Sequence, residues 1–188
     1  MYTYKTMFKL LTTVLFTLLM TACGGGSGNT TPIINTPNNS SGHLLYATKV
    51  LGYSSQYSVS SWSANQVLGQ PNTHIYGDKS TAWAASRASH TENEYISVAF
   101  SKSVYSIGVT IRESFGNGFV TKIETIDEEN NLRTVWQGTD NSEQGVVVDF
   151  SVSWEQTMYL TKGIKVTINP KHSTSWEEID SIALHNGN

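Results

Sequence analysis

Residues 94–111 read Glu94-Tyr95-Ile96-Ser97-Val98-Ala99-Phe100-Ser101-Lys102-Ser103-Val104-Tyr105-Ser106-Ile107-Gly108-Val109-Thr110-Ile111. In the first half, Ile96, Val98 and Phe100 fall on one side of an extended chain. In the second, Tyr105, Ile107, Val109 and Ile111 fall together. A period of two is the spacing of a strand with one buried face. The same pattern returns at 163–168, where Ile164, Val166 and Ile168 oppose Lys165 and Thr167, and at 146–150 through Val146, Val148 and Phe150. Further strands are expected at 46–50, 119–126, 132–136, 157–160 and 179–184.

Turn residues punctuate these runs: Gly116-Asn117-Gly118, Glu129-Asn130-Asn131, Gly138-Thr139-Asp140-Asn141 and Asn169-Pro170. Many short strands at even spacing predict an all-β fold, a sandwich or a barrel. One short helix is expected, where Ser63-Ala64-Asn65-Gln66 has the form of a capping box and Gly69-Gln70-Pro71 a stop.

This fold is expected over 44–188, and the chain ahead of it reads differently. Lys5 and Lys9 precede an apolar run over 10–20 broken only by threonines, too short for the ~20 residues of a membrane span and fitting a signal peptide over 1–22. Met20-Thr21-Ala22-Cys23-Gly24 resembles the bacterial lipobox, which implies acylation of Cys23. Gly24 is not the aspartate that retains Gram-negative lipoproteins at the inner membrane, so the expected location is the cell envelope, at the outer membrane. Residues 23–43, rich in Gly, Ser, Asn, Thr and Pro, offer too little apolar surface to fold and read as a disordered tether.

The chain has 12 basic and 15 acidic residues; removal of 1–22 with its two lysines leaves 10 against 15, a net −5. Scattered acidic charge without a basic run argues against nucleic acid as a partner. The sole cysteine, Cys23, excludes an internal disulfide and a thiolate metal site. No His-Glu-x-x-His, Gly-x-Ser-x-Gly, phosphate-binding Gly-rich loop or cysteine pair is present. Glu177 and Glu178, neighbours on a strand, point to opposite faces and would not converge as glycosidase carboxylates do. The protein is expected not to be an enzyme.

Ser63-Ala64-Asn65-Gln66-Val67-Leu68-Gly69-Gln70-Pro71-Asn72, then Tyr76-Gly77-Asp78 and Ala82-Trp83-Ala84, resembles the opening of galactose-binding-like jelly-roll domains, the fold of discoidin-type domains and many bacterial carbohydrate-binding modules. Gly77-Asp78-Lys79-Ser80-Thr81-Ala82-Trp83 has the spacing of the discoidin-type Gly-Asp-x-x-Thr-x-Trp run, and 176–184 is similar to the closing strand of such domains. The Ala64-x-x-x-Leu68-Gly69-x-Pro71 wording is closer to domains appended to pappalysins and some F-box proteins than to the discoidin core. The resemblance implies an antiparallel jelly-roll β-sandwich of nine or so strands over 44–188, with function in loops grafted on it. It also implies a structural calcium ion, for which Asp78, Thr81 and Glu178 stand at matching positions, although Tyr76 replaces an aspartate of the motif.

Sugar rings stack their C–H faces on aromatic side chains, while their hydroxyls seek polar groups. The candidate ligand-binding residues in or beside loops are His74, Tyr76, Arg87, Arg112, Glu113, Asn117, Trp154 and His172. Arg112 and Glu113 also read as a surface ion pair. Among Trp62, Trp83, Trp136, Trp154 and Trp176, Trp154 is expected to be the most exposed and the others mainly structural. The expected ligand is a glycan; a cell-surface protein is the alternative partner, and the membrane is reached through the lipid.

Overall fold

The computed structural model describes residues 43–187. The signal peptide, Cys23 and all of the tether but its last residue lie outside the described residues. Ten strands follow in order: β1 (Leu44–Tyr46), β2 (Lys49–Tyr53), β3 (Trp83–Ala84), β4 (Glu94–Val104), β5 (Ser106–Phe115), β6 (Val120–Asp127), β7 (Leu132–Gln137), β8 (Val148–Ser153), β9 (Thr161–Ile168) and β10 (Glu178–Asn186). They form two five-stranded antiparallel sheets. One runs β1-β10-β5-β8 with β3 also on β10; the other runs β2-β4-β9-β6-β7. This is the jelly-roll sandwich that the family resemblance implied, built from strands that the alternating pattern marks.

The inward positions fill the space between the sheets. Ile96, Val98, Ile123, Ile164, Val166 and Ile168 meet Val109, Ile111, Ile182 and Leu184 in one fully buried cluster. Burying each such side chain contributes about 1.5–3 kcal/mol, so this cluster is the main driving force for the two layers.

Several boundaries differ from the sequence expectation, each for a local reason. The strand placed at 46–50 is two strands in different sheets: Ala47 N–H donates to Ile182 O and Thr48 N–H to Ala99 O, so the chain changes layers between them. The run through 104–111 breaks at Tyr105, which is exposed, and its inward face begins at Val109. Val146 is exposed and precedes the strand, whose half-buried and buried set is Val148, Phe150 and Val152. No strand forms at 157–160. Thr157 there accepts the Ser106 N–H on its hydroxyl at 2.9 Å and donates that hydroxyl to Tyr159 O, which folds the segment back on itself. The expected helix is one 3-10 turn, Ala64–Val67, without the capping box: Ser63 makes no side-chain cap, and the Gln56 amide oxygen takes the Ala64 N–H at 2.9 Å.

Gly163 lies in β9, the middle strand of its sheet, where a Cβ would stand 2.5 Å from Val98 O. Gly163→Ala should lower stability by about 1–3 kcal/mol, read as an earlier midpoint in urea denaturation with an unchanged slope.

Candidate functional site

The first residue of β10 organises one end of the sandwich. Glu178 lies opposite Ala84 of β3 on one side and Phe115 of β5 on the other. Trp83 is completely buried beside it, and its indole N–H donates to Ser55 O at 3.1 Å. The loops before β3, after β5 and before β10 therefore gather at this end.

Between them lies a cavity of about 70 Å³ lined by Tyr57, Trp62, Asp78, Ala84, Trp176 and Glu178. The Tyr57 ring is inclined to Trp62, with centroids 5.3 Å apart, and to Trp176, at 5.6 Å, so Tyr57 joins two indole walls. Trp62 has φ +50°, a conformation that costs a bulky residue about 1–3 kcal/mol. It is held there by Trp62 N–H to Ser80 O at 3.0 Å, Ala84 N–H to Trp62 O at 3.3 Å and its indole N–H to Asp78 Oδ1 at 2.7 Å. The Trp176 indole N–H donates to Ala85 O at 3.1 Å. The Glu178 carboxyl accepts the Lys79 N–H, at 3.1 Å to its nearer oxygen. Burial pushes its pKa up to about 8; the Lys79 N–H opposes this, and nearby Asp78 adds to it. At neutral pH Glu178 thus keeps its proton, while Asp78 beside it is exposed to solvent.

The three calcium candidates do not form an oxygen cage. The Thr81 hydroxyl bonds to the Thr73 hydroxyl at 2.7 Å. N–H groups of Trp62 and Lys79 stand against the two carboxyls, where a cation would need further oxygens. Among the described residues no group of three or more His, Cys, Asp or Glu is placed to hold a metal. The residues present do not fit the ion.

The other candidates fall into separate places. Tyr76, Glu113, Asn117 and His172 surround the Gly116-Asn117-Gly118 loop. The Tyr76 hydroxyl donates to Gln144 Oε1 at 3.0 Å and accepts the Gly116 N–H, while the buried Asn117 amide donates to Glu143 O and Val146 O. Gln144 reaches Asn117 O and lies 3.5 Å from the His172 ring nitrogen. Gly116 has φ +65°, and a Cβ there would meet Trp176 O at 2.4 Å, so only glycine lets this loop pass the site. His74 is exposed and shares an open depression of about 250 Å³ with Ile75, Lys79 and Thr81. Arg87 is exposed, its carbonyl 3.0 Å from His90 Nδ1.

Three readings need correction. Arg112 and Glu113 are not an ion pair: successive strand residues face opposite ways, so Arg112 pairs with Asp149 across to β8 at 2.7 Å. Glu113 is fully buried, accepting Gly118 N–H at 2.8 Å, and burial with Asp140 nearby pushes its pKa up to about 9. Its other oxygen meets no hydrogen-bond partner. Trp154 is half-buried against the core, and its indole N–H donates to Ser106 O at 3.2 Å, at the start of β5 and hence the opposite end of the sandwich. The aromatic residues that meet are Tyr57, Trp62 and Trp176, none singled out by sequence. The local hints were Trp62, directly before the Ser63–Asn72 motif, and Trp176, at the head of the 176–184 stretch.

Residues 38–187 match the family model of the pappalysin-1 SD scarf domain, C-terminal. No curated protein sequence matches. Solved structures of similar fold include chitosan-binding module 1 of a chitosanase/glucanase from Paenibacillus sp. IK-5, at 16% identity, TM-score 0.55, over 77% of this chain and 99% of that one. Another is the family 32 CBM of C. perfringens NanJ in complex with galactose, at 17% identity, TM-score 0.56, over 77% and 100%. A third is XRCC1, in reduced form bound to the DNA polymerase beta catalytic domain, at 14% identity, TM-score 0.59, over 78% and 100%. The fold is thus shared by carbohydrate-binding modules and by proteins of other roles.

Glu113, Glu178 and Glu177 have folded pKa values of about 9, 8 and 7 against an ordinary 4.5. Above pH 4.5 the unfolded chain releases these protons and the folded chain keeps them, so their contribution is full below that pH and is lost as pH rises through 7 to 9. His185, its pKa lowered by burial, works in the opposite direction only around and below 6.5. The melting temperature should fall by several degrees between about pH 7 and pH 9, and Glu113→Gln should flatten that fall in a pH series of thermal melts.

Proposed function

The chain belongs to the family of the pappalysin-1 SD scarf domain, C-terminal, and on that scaffold we propose a non-catalytic glycan-binding protein of the bacterial envelope, anchored by lipid on Cys23. The observation that carries this reading is the cavity where Tyr57, Trp62 and Trp176 converge beside Asp78 and Glu178 at one end of the sandwich. Aromatic walls suit the C–H faces of sugars, and carboxyl oxygens accept from their hydroxyls. The printed names of two fold neighbours, a chitosan-binding module and a CBM holding galactose, support the ligand class.

The acids are not set for hydrolysis. Glycosidase carboxyls stand ~5–9.5 Å apart across a scissile bond. Here Asp78 accepts the Trp62 indole N–H, Glu178 accepts the Lys79 N–H, and Glu177 accepts the Ser173 hydroxyl at 2.9 Å. The anchor and tether, read from Cys23 and the residues after it, would present the domain outside the membrane surface, at the outer membrane.

A glycan array probed with the purified protein should show a bound class, and Trp62→Ala should weaken that binding by tenfold or more while the thermal melt stays cooperative. An array with no bound glycan would argue against this reading. For the anchor, Cys23→Ser should abolish incorporation of a labelled fatty acid and move the protein from the membrane to the soluble fraction; retained labelling would place the lipid elsewhere.

A further inference from the structure

The polar groups of the aromatic cavity are unevenly spent. The Trp62 indole N–H is given to Asp78 and the Trp176 indole N–H to Ala85 O, so neither is offered to a ligand. What the lining side chains still present are three aromatic rings, the Tyr57 hydroxyl and the carboxyls of Asp78 and Glu178. Ring faces carry the negative part of the aromatic quadrupole, and carboxyl oxygens accept. The pocket is therefore a set of electron-rich walls around one exposed carboxylate.

The pocket offers about 70 Å³ to the centres of water-sized groups, against the ~10–15 Å³ that one water needs by this measure, so it has room for several waters or for one small substituent that displaces them. Tyr57 is 52% exposed, so the pocket opens to solvent and a ring bearing the substituent can lie outside. The backbone at Trp62, bonded on both sides despite its positive φ, holds this wall in place before any ligand arrives.

We propose that the Tyr57, Trp62 and Trp176 pocket is a cage for an ammonium group borne by the glycan, with Asp78 as its counter-charge. Cations over aromatic faces gain ~0.5–2 kcal/mol, more when desolvated, and quaternary ammonium groups are held in cages of this kind. A neutral acetamido group keeps only C–H packing on the rings and one N–H bond to the carboxylate, without the cation's attraction to either. This assignment rests on the glycan reading above and narrows it to amino sugars or to sugars carrying a quaternary ammonium.

The test is calorimetric titration of the purified protein with a glucosamine tetrasaccharide, its fully N-acetylated counterpart and choline. The amino form should bind at least tenfold more tightly than the acetylated one. Asp78→Asn, which keeps shape and removes charge, should weaken it about tenfold. Tyr57→Leu, at an exposed position that folding tolerates, should also weaken it and serves if Asp78→Asn fails to melt cooperatively. Choline binding in place of the amino sugar, lost with Asp78→Asn, keeps the cage and assigns it to a quaternary ammonium. Equal binding of the acetylated sugar, unchanged by Asp78→Asn, overturns the cage and leaves the glycan reading standing. No binding of any of the three, together with an empty glycan array, overturns both.

Discussion

The pairing of β10 with β5 is the constraint on which the binding end depends. It runs from Glu178 opposite Phe115 to Asn186 opposite Ser106, and brings the last strand beside both β1 and β3 on its other edge. Register decides which side chains reach the site, because a slip of one residue moves every side chain to the other face. With the observed register Glu178 meets the Lys79 N–H, while its neighbour Glu177 turns away to Ser173. The pocket exists because this one alignment places Trp176, Ala84 and Asp78 around the same carboxyl.

Buried carboxyls also hold the loops. Glu113 takes Gly118 N–H, Asp180 takes the N–H groups of Asn72 and Thr73, Asp140 takes Val120 N–H, and Glu94 takes the hydroxyls of Ser54 and Ser55. The only cysteine is Cys23, so no disulfide can do this work. Each bond is made in a low-dielectric setting, where an acceptor left alone would cost ~1–3 kcal/mol. The same burial raises the pKa values of Glu113, Glu177 and Glu178, so loop retention and protonation are linked at this end.

The strands were legible wherever one face is apolar and the other polar. Residues 163–168 show it: Ile164, Val166 and Ile168 are fully buried and the intervening Lys165 and Thr167 are not. Alternation failed where hydrogen bonds rather than burial choose the conformation, at Ala47-Thr48 and at Thr157. The site was harder to read. Asp78 and Glu178 were found through the motif that carries them, but were matched to an ion whose oxygen shell this loop does not supply. Glu113 looked like a loop-edge acid because nothing in its neighbours along the chain shows that Gly118 N–H folds back onto it.

By itself the sequence determined the all-β class of architecture and the absence of an internal disulfide, because period and cysteine count are local or additive properties. Which aromatics meet was decided only by tertiary structure. Tyr57, Trp62 and Trp176 come from two loops at distant points of the chain, and their convergence follows from sheet pairing and from the close pass of Gly116 against Trp176. Periodicity says which face a side chain takes on its own strand; it carries no information about which other loop that face will find.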